Sequence, residues 1–168
     1  MNIFALDLDP ERAAQMLCDK HVVVMVKESA QILVVAHPPE VKAPYKRTHT
    51  NGPCGVWVRK SMGNYRWLLE HGEALASEYT FRYGKVHKSQ SVIQWARAHE
   101  PSLPHLGRTP FTLVMPEEYK LPVGYSDKEA VQAYRVAYWG TKRRFAKWGK
   151  GRTEPLWWGE KPLETIVP

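Results

Sequence analysis

The strongest hydrophobic pattern in the chain lies between Asp9 and His37, where residues 22–26 and 32–36 are apolar around most of a helical circumference. A helix of that kind is buried on more than one side. Its start is marked by Asp9, whose carboxylate can accept from the first free N–H groups, and by Pro10 at the first helical position, where a missing N–H costs nothing. The pattern predicts one continuous helix over 9–37. His21, Glu28 and Gln31 interrupt the apolar runs, and spacings of seven and three residues place them on one face. Polar side chains are costly to bury unless they are hydrogen-bonded or put to use. This stripe is therefore the first candidate for chemistry.

The remaining pattern is also helical. Residues 1–8 alternate weakly, as a short strand or an extended lead-in. Residues 37–53 contain four prolines and end in Thr, Asn and Gly, which reads as a loop with Lys42, Lys46, Arg47 and His49 near solvent. A second long helix is predicted from Gly52 as cap and Pro53 as first residue to Gly84, with Trp57, Tyr65, Leu68, Leu69, Leu75 and Tyr79 on its core face. Gly63 and Gly72 each weaken such a helix by about 1 kcal/mol relative to Ala, so close packing against another helix, or a bend, should explain them. A basic hinge at 85–89 leads to a shorter helix over 89–99 that Pro101 closes. The proline-rich segment 101–125 carries Leu106, Phe111, Leu113, Val114 and Met115, too apolar for a free linker, and reads as an ordered wrap over the core. Ser126 and Glu129 form a capping-box pair at the start of a last helix expected to reach about Trp148. The tail after Gly149 should fold back irregularly. The fold class is mainly α: a compact single-domain helical fold with two long helices, a C-terminal helix and irregular Pro-rich wraps.

Composition narrows this picture. A chain of 168 residues with 43% apolar side chains fits one well-filled core. No apolar run reaches the roughly 18–20 residues that span a bilayer, and the opening MNIFALDLDP lacks the features of a signal peptide, so a cytoplasmic location is expected. Cys18 and Cys54 supply neither a disulfide framework nor a zinc quartet. The net charge of +7 points to an anionic partner, of which nucleic acid is the commonest. The alternative is a surface that is basic only for solubility.

Two basic clusters and the first helix carry the candidate chemistry. Near the end of the last helix, Lys142, Arg143, Arg144, Lys147, Lys150 and Arg152 interleave with Tyr138, Trp139, Phe145 and Trp148. Cations neutralise phosphates and aromatic faces stack on exposed bases. Alternatively the aromatics face the core and the cations favour the helix C-terminus. The second cluster, FRYGKVHKS, joins Arg82, Lys85, His87 and Lys88, and gains meaning only if it lies near the first in space. On the first helix, His21 can be a hydrogen-bonded core residue. A metal site would need more ligands than His21 and Glu28. Glu28, half buried in an apolar helix, suits general acid–base work, and Lys27 beside it could bind a phosphate. Ser29 lacks an activating partner, so a hydrolase triad is not supported.

The stretch DKHVVVMVKESAQ resembles the corresponding region of the bacteriophage endonuclease V family of pyrimidine-dimer glycosylases, with Asp19, His21, Lys27 and Glu28 at the matching spacing. The likeness continues through NGPCGVW, TFRYGK and YRVAYWGTK, with Lys27 where that family has an arginine. The set THTN.PC, EYTFRYGKVHKS and VQAYR..Y...K..FAKW also resembles small phage-type proteins, with Gly52 where that pattern has His. The resemblance implies a mostly helical domain that bends double-stranded DNA and exposes a damaged or modified pyrimidine. It implies attack by the N-terminal amine on the sugar C1′, a Schiff base, and β-elimination assisted by the glutamate. The resemblance makes Glu28 the catalytic carboxylate, with His21 its orienting or structural partner; removal of Met1 is disfavoured before Asn2, which makes the Met1 amine the nucleophile. Lys27, Lys46, Arg47, His49, Arg82, Lys85, His87, Lys88, Arg135, Trp139, Lys142, Arg143 and Lys147 are then expected on DNA, with no metal and no cofactor. Two alternatives stay open. One is a phage DNA pyrimidine-modifying enzyme on the same fold with Glu28 as general base. The other is a nonenzymatic DNA-binding or host-interaction protein, in which His21 and Glu28 satisfy one another in the core.

Overall fold

A computed structural model describes residues 1–159. Asp9 caps the first helix as its sequence predicts, accepting from the Arg12 N–H at 2.8 Å with Pro10 in the first turn. That helix, α1 (Pro10–Met16), nevertheless ends after 7 residues. Leu17 and Cys18 are extended, with ψ of 141° and 160°, and α2 (Asp19–Val35) starts anew. Distant groups satisfy the backbone freed by this break. Arg82 donates to the carbonyls of Gln15 and Leu17, the Trp148 indole N–H donates to the Met16 carbonyl, and the Tyr138 hydroxyl accepts from the Cys18 N–H. None of these partners is local, so periodicity runs straight through the break.

The second long helix is divided as well, into α3 (Pro53–Arg59) and α4 (Met62–Tyr83). Ser61 recaps the chain, its hydroxyl accepting from the Asn64 N–H at 3.1 Å, while the Asn64 amide donates to the Trp57 carbonyl at 2.7 Å. The break is at neither glycine. Close packing accounts for both instead. A Cβ on Gly63 would lie 2.4 Å from the Arg108 nitrogen, so this glycine lets the 101–125 wrap cross the helix; its neighbour is the wrap, not a helix. A Cβ on Gly72 would meet Ile93 and Ser29 at 3.3 and 3.5 Å, where α4 packs against α5 (Gln90–Ala98) and α2.

α2 lies at the centre, packed against α3, α4 and α5, while α1 packs on α4. The wrap buries Phe111 and makes one 3₁₀ turn at Glu117–Tyr119. α6 (Asp127–Lys142) opens with the expected capping box between Ser126 and Glu129. It stops at Lys142, short of Trp148, because the chain turns to cover the start of α2: the Asp19 N–H donates to the Lys147 carbonyl, and the Gly149 N–H donates to the Asp19 carboxylate, both at 2.9 Å. A last short helix, α7 (Leu156–Gly159), buries Trp158. The tail folds back as expected, but with this short helix after an irregular stretch, and the remainder of that expectation lies outside the described residues. The fold is mainly α, as the patterning predicts, and residues 1–8 form a non-helical lead-in with a turn at residues 2–4, with no strand among the described residues. No described helix is long and apolar enough to cross a membrane.

Candidate active site and nucleic-acid interface

The lead-in runs antiparallel to α2 and lies along its polar stripe. The Asn2 N–H donates to Glu28 Oε2 at 2.7 Å, and two turns nearer the start of α2 the Phe4 ring stacks on His21, with centroids 4.8 Å apart. The Asn2 side chain shapes this segment: its Oδ1 accepts from the Ile3 and Phe4 N–H groups, and its Nδ2 donates to the Val114 carbonyl. Phe4 sits at φ 50°, a left-handed conformation that costs a non-glycine residue about 1–3 kcal/mol and persists only where its surroundings impose it. The bond to Glu28 also locates Met1. Adjacent backbone nitrogens are about 3.7 Å apart at most, so the Met1 amine lies within roughly 6–7 Å of the Glu28 carboxylate. Cys54, buried at the start of α3, senses both groups. Its thiol is pushed up to about 12, first by burial, with the N-terminal charge opposing and Glu28 adding to the shift.

His21 and Glu28 do not pair with one another. His21 is 8% exposed, and its Nδ1 lies 2.7 Å from the Tyr138 hydroxyl. Its pKa falls to about 4, first through burial and then through the charges of Lys142 and Lys20. The ring is neutral at pH 7, with Tyr138 free to donate to Nδ1 while accepting from Cys18. His21 thus supports Phe4 from beneath, and Glu28 alone of the two faces the chain's first peptide.

The structure brings the second basic cluster to α2. Lys27, Tyr45, Tyr79, Lys85, His87 and Lys88 line a groove of about 460 Å³. Lys27, Lys85 and Lys88 are exposed there, whereas His87 has both nitrogens engaged, Nε2 on the Val23 carbonyl and Nδ1 accepting from the Ser89 N–H, and so fixes the hinge. At the other end of the stripe, the Lys142 ammonium lies over Phe4 at 5.4 Å and that of Lys20 over Phe145 at 4.9 Å. Lys46, His49 and Lys147 are exposed.

Several arginines expected on DNA have other work. Arg82 corrects the sequence reading most clearly. Its side chain is 0% exposed and donates to Glu78, Asp19 and the carbonyls of Gln15 and Leu17, so it cannot reach a phosphate. The apparent continuity of FRYGKVHKS conceals that the helix turns this residue inward. Arg135 holds the lead-in through the Leu6 carbonyl and Asp7. Arg47 donates to the carbonyls of His37, Pro38 and Val41. Arg143 lies over the half-buried Trp139 ring at 4.6 Å and, unlike Arg82, remains exposed. Among the described residues, Lys120 is the one lysine in an ion pair, and every other ion pair uses arginine. Acidic side chains are therefore matched mostly by arginine, which leaves the lysines other than Lys120, together with the exposed Arg143 and Arg144, outside any ion pair among the described residues.

Sequence reasoning missed Asn2, Phe4, Lys20, Tyr45, Tyr79 and the role of Tyr138. Lys20 had a usable signal, because it lies seven residues before Lys27 on the same helical face. Asn2 had none, since one residue of an extended segment carries no period. Among the described residues, no three His, Cys, Asp or Glu side chains converge on a position that could hold a metal ion.

Residues 1–91 match the model of a family described as pyrimidine dimer DNA glycosylase. Neither the curated proteins nor the solved structures yield a match. The family match begins at residue 1 and takes in the lead-in, Glu28, and the Lys27, Lys85 and Lys88 groove, the parts that converge in space. Spanning more than half of the sequence, it establishes that the chain belongs to the pyrimidine dimer DNA glycosylase family.

Proposed function

We propose that this protein is a DNA glycosylase with abasic-site lyase activity, in which the N-terminal amine attacks the sugar of a damaged or modified pyrimidine nucleotide and Glu28 is the catalytic carboxylate. The observation that carries this reading is the 2.7 Å bond from the Asn2 N–H to Glu28, which anchors the chain's first peptide beside that carboxylate. The amine lone pair forms a bond to C1′ as the glycosidic bond breaks and the base leaves with its electron pair. Loss of a proton from nitrogen and opening of the sugar ring give a Schiff base. Removal of a C2′ proton then expels the 3′ phosphate, and water releases the amine. Glu28 stabilises the cationic intermediate and accepts the C2′ proton. Lys27, Lys85 and Lys88 on one side, with Lys20 and Lys142 on the other, neutralise phosphates of a duplex that crosses the stripe. Tyr45 and Tyr79 offer faces to an exposed base. His21 acts through Phe4 as a support.

Borohydride trapping on a duplex containing an abasic site tests this. The native protein should form a covalent adduct, and a protein acetylated or extended at its N-terminus should not. Glu28→Gln should retain its melting temperature and lose strand cleavage. Failure of the native protein to be trapped contradicts the mechanism.

A second reading keeps the chemistry and moves the nucleophile by one residue. The nitrogen 2.7 Å from Glu28 belongs to Asn2, not to Met1. Excision of Met1 would turn that same nitrogen into the free amine. The intact mass of the purified active protein separates the two, because the second reading requires a chain lighter by one methionine.

A further inference from the structure

We infer that Asn2 is the positioning residue that holds the reactive amine against Glu28, an inference that rests on the glycosylase reading above. A chain terminus is by default mobile unless something ties it down. Here one residue does so, with both polar groups of its side chain and with its backbone N–H. Oδ1 accepts from the Ile3 N–H at 2.7 Å and the Phe4 N–H at 3.0 Å, Nδ2 donates to the Val114 carbonyl at 2.7 Å, and the backbone N–H is on Glu28.

The consequences pass through three elements. The turn closed by Oδ1 places Ile3 in the core, 1% exposed, and forces Phe4 to φ 50°, which lays its ring on His21 and under Lys142. The Nδ2 bond fastens the same turn to the wrap. Val114 is itself held by α6, because its N–H donates to the Tyr134 hydroxyl while that hydroxyl donates to the Thr112 carbonyl. The first peptide is therefore fixed relative to α2, the wrap and α6 at once. Near a reacting centre, a displacement of about 1 Å can cost about a hundredfold in rate.

Asparagine is suited to this position because it is short and carries both an acceptor and a donor. Aspartate keeps the acceptor, loses the bond to Val114, and brings a second carboxylate towards Glu28. Leucine keeps the size and loses both functions.

The test uses Asn2→Asp and Asn2→Leu in the full-length protein. Neither second residue is small, so the N-terminal residue is expected to match that of the native chain, and intact mass verifies it. Single-turnover trapping on abasic duplex, DNA affinity and melting temperature are measured together, with amide hydrogen exchange at residues 2–4 in free protein. The expected trapping rate falls about 10- to 100-fold in Asn2→Leu and less in Asn2→Asp, with affinity unchanged and the melting temperature lowered by only a few degrees as the freed amides open locally to water. Protection of the Ile3 and Phe4 amides, present in the native protein, should be lost in Asn2→Leu. A native trapping rate in Asn2→Leu, or a loss of DNA affinity that accounts for the loss of trapping, overturns the positioning role. If the native protein is not trapped, the glycosylase reading fails. Exchange then judges the clamp alone: protected native amides that open in Asn2→Leu uphold it, and unprotected native amides overturn it.

Discussion

Replacing Arg82 by methionine removes the guanidinium while leaving most of the stem volume. The native guanidinium donates to Glu78 at 2.8 Å, to Asp19 at 3.0 Å, and to the carbonyls of Leu17 and Gln15 at 2.8 and 2.9 Å. Breaking a buried ion pair by deleting one partner costs about 3–5 kcal/mol, because the other charge stays buried without compensation. Glu78 keeps the bidentate bonds of Arg152 at 2.7 and 2.9 Å, which limits the loss at that carboxylate. The two carbonyls at the α1–α2 break have no such reserve, and each unsatisfied buried polar group costs about 1–3 kcal/mol. The contributions share one environment and do not add, so about 3–5 kcal/mol is expected in total. At about 2–4 °C per kcal/mol for a chain of this size, the melting temperature should fall by roughly 10 °C. Thermal unfolding followed by circular dichroism measures this, and a salt titration of duplex DNA binding on the same variant separates the two possible roles of Arg82. A variant that melts within a degree or two of the native protein and binds DNA with a reduced salt slope would refute the buried placement.

Other consequences follow from single observations. Lys85→Met should leave the melting temperature unchanged and lower the salt slope of DNA binding by about 1, as should Lys27→Met, since each removes one exposed cation from the groove proposed to meet the duplex; an unaltered slope in both variants would remove this groove from the interface. His21 has a folded pKa of about 4 against an ordinary 6.5, so its contribution is fully present above pH 6.5 and is lost as pH falls towards 4, a difference of about 3 kcal/mol. Urea unfolding across that window should be less pH-dependent in His21→Gln, though not flat, because burial lowers His71 to about 4 as well. Gly63→Ala should destabilise by about 1–3 kcal/mol, because its Cβ would collide with backbone of the wrap, whereas Gly107→Ala meets nothing within 4 Å and serves as the control. Equal melting temperatures for the two glycine variants would contradict the close crossing.

What the sequence made legible were local signals. Asp9 with Pro10, Gly52 with Pro53, and Ser126 with Glu129 each mark a helix start, because a cap is written within four residues of the groups it satisfies. The stripe containing Glu28 was legible for a similar reason, since helical periodicity exposes a polar face in an apolar run. The breaks at 17–18 and 60–61 were not, because periodicity persists through both. The first is compensated by Arg82, Tyr138 and Trp148, all distant in sequence. Arg82 was misread for a related reason. Its neighbours in sequence are basic, yet its helix face is that of Glu78, four residues earlier, and this spacing was the available sign of an ion pair. Asn2 illustrates the limit, as its importance arises only where the lead-in meets Glu28 and Val114.

The central claim is that the terminal amine, held beside Glu28, is the atom that bonds to the sugar. The most direct measurement is peptide mapping of the borohydride-trapped adduct by mass spectrometry with fragment-ion assignment. The deoxyribose remnant is expected on the α-amine of the first residue, whether that residue is Met1 or, after processing, Asn2. A remnant on an internal lysine such as Lys27 or Lys142, or the absence of any adduct, would contradict it.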